Sequence, residues 1–163
     1  MHILGIDPGL NITGYGIIKT FGNNEFALIK AGIIKTSHRD LLPRRLYHIY
    51  SEILRLINKH KPQVLSLEKT FSHYKYPAAV IPISYVRGLV CLLCGQKNIT
   101  LYEYSATRIK KAITGKGHAP KEQVQKMIFN LLNLKSSFSY VDATDALALA
   151  IGHCRLQSSI PCK

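Results

Sequence analysis

The chain has 163 residues, 47% of them hydrophobic, with 22 Lys and Arg against 9 Asp and Glu, a formal charge of +13. That length and apolar share fit one globular domain with its own core, and the positive excess selects for polyanionic partners. No apolar run approaches the ~20 residues of a membrane span, and the N-terminus lacks a signal-peptide pattern. Nucleic acid is therefore favoured over a membrane surface, in a cytoplasmic protein.

Three strands open the chain. His2 to Asp7 leads through the turn Asp7-Pro8-Gly9-Leu10-Asn11 to Ile12 to Lys19, and the hairpin signal Gly22-Asn23-Asn24 leads to Phe26 to Thr36. Leu41, Leu42, Leu46, Ile49, Ile53, Leu54 and Ile57 recur at helical spacing, which predicts a helix over 41–60 that Pro62 stops. A fourth strand runs from Val64 to Glu68. Pro77 and Pro82 argue against a helix over 69–81, so the next helix is expected from Pro82 to Gln96, with its proline in the first turn. Ile99 to Tyr104 reads as a fifth strand, followed by helices near 105–114, 120–133 and 140–156. The order implies an α/β fold, a mixed five-stranded sheet with helices on its faces, in one domain over 1–156. The tail 157–163 is expected to fray.

Four cysteines suit a reducing compartment. Cys91 and Cys94 have zinc-like spacing but sit inside Leu89-Val90-Cys91-Leu92-Leu93-Cys94, and no second pair matches them, so buried inert thiols are the better reading.

Acids are scarce here, which makes their positions informative. Asp7 closes the apolar strand Ile3-Leu4-Gly5-Ile6, and Glu68 closes Val64-Leu65-Ser66-Leu67. Asp142 and Asp145 stand one helical turn apart before the apolar run Ala146 to Ile151. Each has a plain structural explanation: Asp7 as a turn residue, Glu68 as a solvated strand end, Asp142 as part of a capping box begun by Ser139. Asp145 is harder to explain this way, because it lies inside the helix beside apolar neighbours and one turn from a like charge. Taken together, the acids describe a single site if the first and fourth strands are parallel neighbours, since ligands bind at strand ends. Carboxylates without histidine make an oxygen-only donor set, which suits Mg²⁺ or Mn²⁺. Two such ions about 3.5–4 Å apart can promote phosphodiester hydrolysis.

Most of the basic residues read as a diffuse phosphate footprint. Lys121 stands out because it follows Pro120 at a helix start, where the macrodipole disfavours a cation. It is either a solvated lysine offset by Glu122 or a cation aimed at the scissile phosphate. Lys110 and Lys111 could hold the backbone, and Phe71, Tyr74 and Tyr76 could form a small core cluster or stack on splayed bases.

These residues resemble a known family, the RuvC-type Holliday-junction resolvases of bacteria. The likeness runs over about residues 3–155 and rests on Gly5-Ile6-Asp7-Pro8-Gly9 with Thr13-Gly14-Tyr15-Gly16, Leu42-Pro43 with Arg45-Leu46, Glu68 with Phe71, and Asp142-Ala143-Thr144-Asp145-Ala146-Leu147-Ala148. The resemblance implies a ribonuclease-H-like fold, a homodimer, and paired symmetric nicks across a four-way DNA junction in recombination and repair. It also implies Mg²⁺ as cofactor and a branch-migration motor as partner. It matches Asp7, Glu68, Asp142 and Asp145 to catalytic carboxylates, Lys110 and Lys121 to functional lysines, and Phe71 to an aromatic that intrudes on the bases. The family sometimes has His where this chain has Asp142. Lys69 departs from the Gln that often follows the catalytic Glu, and Ser72 to Tyr85 departs from the usual helix entry.

Three rivals share features with this reading. A nuclease for RNA or RNA–DNA hybrids belongs to the same fold neighbourhood, and an architectural protein would use only the basic face. Sugar kinases and actin-like ATPases open with a similar Gly-x-Asp-x-Gly but need a second lobe, for which the chain has no room.

Overall fold

The computed structural model describes residues 1–22, 25–69, 77–134 and 141–158, and the side chains of these except at 77–79, 141, 142 and 158. Five strands, β1 (His2–Asp7), β2 (Ile12–Gly22), β3 (Glu25–Lys35), β4 (Val64–Glu68) and β5 (Thr100–Tyr104), form one sheet in the order β3-β2-β1-β4-β5. β1, β2 and β3 pair antiparallel, whereas β4 lies parallel to both β1 and β5. The expected mixed sheet is present, with the first and fourth strands as parallel neighbours.

The sheet is covered on both faces because β1 and β4 are buried at every inner position and mostly apolar, and successive side chains point to opposite sides. Leu4, Ile6, Leu65 and Leu67 enter a core with helices α1 (Leu42–His60) and α2 (Pro77–Lys97). Ile3 and Val64 enter a second core with α3 (Ala106–Thr114), α4 (Lys121–Leu131) and α5 (Val141–Ser158). This is the ribonuclease-H-like arrangement, with two helices on one face and three on the other.

α1 buries Ile49, Ile53 and Ile57 of the stripe that its periodicity predicts, together with Leu56, while Leu41 and Leu42 at its start stay exposed. It ends at Lys61, whose left-handed backbone (φ 45°) lets its N–H close on the Ile57 carbonyl at 2.8 Å.

α2 differs from expectation. It starts at Pro77 and takes Pro82 into its interior. Pro77 suits the first helical position, where a missing N–H has no intrahelical partner to lose. Pro82 does forfeit one such bond, and Val86, Val90, Leu93 and Cys94, buried against the sheet, hold the helix in spite of it. The opposite face exposes Ile81, Tyr85 and Leu92, each more than 40% accessible, as well as Cys91. The expectation of buried thiols therefore holds for Cys94 but not for Cys91. By length and composition, Val80–Lys97 also qualifies as a possible membrane span, which no apolar run was expected to do; Val, Ile, Leu and Cys on both its buried and its uncovered face raise the average despite the interspersed Pro, Ser, Arg and Gly.

α5 crosses β1 at Gly5. A Cβ there would lie 1.9 Å from the Ala146 carbonyl oxygen, so only glycine lets helix and strand approach this closely. Ser66 Oγ on β4 donates to the Leu149 carbonyl at 3.0 Å and pins the next turn of the helix.

Candidate active site

The pairing of β1 and β4 runs from Ile3↔Val64 to Ile6↔Leu67, and one further step sets Asp7 beside Glu68 at the carboxyl ends of both strands. Alternation sends both side chains to the face that carries Ile3, Gly5 and Ser66, the face under α5. The turn after Asp7 is tied down by side chains from β2, from the residue after β3, and from α1. Thr13 Oγ1 donates to the Gly9 carbonyl at 2.6 Å, Thr36 Oγ1 donates to the Leu10 carbonyl, and the Arg45 guanidinium donates to Leu10, Asn11 and Thr36. Asp7 thus stands on a strand end whose following turn is held at three points.

α5 brings Asp145 over this edge, since its neighbour Ala146 rests on Gly5. The first turn of α4 supplies Lys121, whose Nζ donates to Asp145 Oδ2 at 3.2 Å. Here the cation at an unfavourable helix start has an acidic partner on another helix. Glu68, Lys110, Lys121 and Asp145 line one cleft of about 190 Å³, floored by Ala106, Ile109, Val124, Ala148 and Leu149. Sequence-predicted residues from β4, α3, α4 and α5 therefore meet in one place, with Asp7 on the adjoining strand end. Asp142 begins α5 one turn before Asp145, but its side chain lies outside the described residues. Phe71 and Ser139 lie outside them altogether.

The electrostatics follow from the crowding. The Glu68 carboxyl is pushed above its ordinary value of 4.5, first by burial and then by the Asp145 charge, while Lys121, Arg87 and Lys110 pull the other way. Like charges held together in a half-buried cleft favour a cation between them. Among the described residues, no three Asp, Glu, His or Cys side chains form a ready metal cage. The donor chemistry nevertheless fits a hard divalent ion, because Asp7, Glu68 and Asp145 offer only carboxylate oxygens.

Arg87 escaped the sequence reading. From α2 on the far face of the sheet it donates through Nη1 to the Glu68 carbonyl and through Nη2 to Glu103 Oε1. Its one sequence signal is a charge set inside the apolar run of α2.

Comparison with known proteins bears on the chain as a whole. The family model described as crossover junction endodeoxyribonuclease RuvC matches residues 3–153. The protein of that name from Caldicellulosiruptor saccharolyticus is 41% identical over 160 residues, covering 98% of this chain and 96% of the relative. Its counterpart from Ehrlichia ruminantium is 45% identical over 155 residues, covering 94% and 96%. Among solved structures, T. thermophilus RuvC in complex with Holliday junction substrate superposes with a TM-score of 0.91 at 27% identity, covering 96% of this chain and 94% of that one. The family model and the relatives match over nearly the whole chain: the chain belongs to the RuvC family of crossover junction endodeoxyribonucleases.

Proposed function

We propose that this protein is a homodimeric endonuclease that resolves four-way DNA junctions by symmetric phosphodiester hydrolysis, with Asp7, Glu68, Asp142 and Asp145 holding two Mg²⁺ ions that Mn²⁺ can replace. The observation that carries the reading is the convergence of Glu68, Asp145, Lys121 and Lys110 in one cleft beside Asp7, on a chain of charge +13. When bound, the ions supply Lewis acidity for hydrolysis and neutralise carboxylates that would otherwise repel a phosphate.

The protein's own residues have separable tasks. The β1–β4 ladder, paired as far as Ile6↔Leu67, carries Asp7 and Glu68 side by side before substrate arrives. Lys121 keeps an ammonium at the Asp145 carboxylate, where it can stabilise the extra negative charge of a pentavalent phosphorus. Lys110, across the cleft, contacts the DNA backbone and holds its register. Phe71, just past β4, is assigned to stacking on bases opened at the crossover.

Support for the dimer comes from α2, where Ile81, Tyr85, Gly88 and Leu92 recur on one uncovered face, a spacing suited to a partner helix. The branch-migration motor enters from the family resemblance, and cytoplasmic residence accords with the free thiols of Cys91 and Cys94.

The test uses a synthetic mobile junction and an RNA–DNA hybrid, each with and without Mg²⁺, with nicks mapped on every strand. Paired nicks on opposed junction strands are expected only with metal. Asp7→Asn should bind the junction and fail to nick it. Preferential cutting of the hybrid would favour the rival nuclease, and metal-indifferent binding without any product would favour an architectural protein.

A further inference from the structure

The backbone at Glu68 has a gap that β1 cannot fill. Met1 and Thr20 exchange two hydrogen bonds, N–H to carbonyl at 3.1 and 2.9 Å, so odd-numbered residues of β1 direct their backbone groups to β2 and even-numbered ones to β4. On β4, the Lys69 N–H donates to the Tyr104 carbonyl at 2.8 Å, so odd-numbered residues there face β5 and Glu68 faces β1. In a parallel ladder the Glu68 carbonyl would then accept from residue 8. Residue 8 is Pro8, which has no N–H to give.

Arg87 fills that position from the other side of the sheet. Its guanidinium donates to the orphaned Glu68 carbonyl and, through its second nitrogen, forms an ion pair with Glu103 on β5. The side chain is only 18% accessible, and its helix neighbours Val86 and Val90 are fully buried, so the fork is held in place at its base. The planar geometry that spans a carbonyl on one strand and a carboxylate on the next belongs to arginine rather than lysine.

We propose that Arg87 is a positioning residue: by replacing the donor that Pro8 lacks, it locks the end of β4 to α2 and β5 and so fixes where the Glu68 carboxylate stands. The inference rests on the reading of the cleft as the nuclease site. It also gives α2, the proposed dimer helix, a direct hydrogen bond to the catalytic strand. Closing the dimer and ordering the site are then mechanically linked through one side chain.

The experiment compares wild type, Arg87→Gln, Arg87→Lys and Glu103→Gln, with Glu68→Gln as the inactive reference and Glu52→Gln as a remote ion-pair control; Glu52 pairs with Arg55 on α1. Dimer mass, melting temperature, junction affinity and single-turnover cleavage are measured for each. For Arg87→Gln, displacement of one ligating carboxylate should slow cleavage about 10–100-fold, while the dimer persists and junction Kd stays within about twofold, the signature of a defect confined to the reacting state. Arg87→Lys should recover part of the rate, and Glu103→Gln should lose less than Arg87→Gln, because the bond to the Glu68 carbonyl survives. If Arg87→Gln does not fold, the lysine and Glu103 variants carry the same comparison. Wild-type cleavage by Arg87→Gln, or by Arg87→Lys and Glu103→Gln together, overturns the proposal. So does a loss that merely tracks melting temperature or dimer content with no recovery by lysine. Absence of nicking by wild type would instead sink the nuclease reading itself.

Discussion

Glu68 is held in a form that works against the stability of the metal-free protein. Burial and the Asp145 charge raise its carboxyl above 4.5 in the fold, so the folded state favours the protonated acid. The sign follows from linkage: the proton-linked stability is fully present below the unfolded value and is lost as pH rises through the folded one, leaving an ionised carboxylate as a net burden at neutral pH. Glu68→Gln should therefore melt at a higher temperature than wild type at pH 7.5 in chelator, while abolishing cleavage. The gain should vanish near pH 4, where the acid is already protonated. Melting curves at the two pH values check this, and a variant less stable than wild type at pH 7.5 would refute it. Asp7 and Glu68 were legible in the sequence because an acid closing an apolar strand is costly in a chain with so few acids. Arg87 was not, because its acceptor is a backbone carbonyl distant in sequence, and no residue pattern marks a missing donor across a sheet.

At the scale of elements, α5 decides whether the site assembles, and its closeness to β1 depends on Gly5. Gly5→Ala would drive a methyl into the Ala146 carbonyl and lift the helix that carries Asp145. A loss of about 3 kcal/mol or more is expected from such overpacking, together with cleavage slowed beyond what the unfolded fraction explains; urea titration alongside single-turnover kinetics separates the two. Helix and strand periods placed most elements to within a few residues, because α1 presents one apolar stripe and the inner strands are short, nearly continuous apolar runs. α2 was misplaced at its start. A proline rule is local, whereas the burial that holds Pro82 in the helix comes from the sheet beneath it.

The whole molecule joins a small acidic site to a strongly basic surface and an uncovered apolar helix face. If about 6–10 phosphates are neutralised on binding, junction affinity should fall about 10³–10⁵-fold between about 50 and 200 mM salt, which a filter-binding series would measure; a flat profile would remove phosphate contacts as the main source of affinity. Leu92→Asp, on the exposed face of α2 and away from the cleft, should dissociate the proposed dimer and abolish paired nicking. Sedimentation of an unchanged dimer would move the interface elsewhere. The sequence by itself determined the layered fold and its acidic strand ends, because hydrophobic period and scarce charge are local properties of the chain. It also set the demand for a polyanion through the net charge. Only the tertiary structure decided that Lys121 faces Asp145, that Gly5 admits α5, and that Arg87 reaches the carbonyl Pro8 leaves unpaired. Those contacts join residues far apart along the chain, and only the packing of helices against a parallel strand pair brings them within bonding distance.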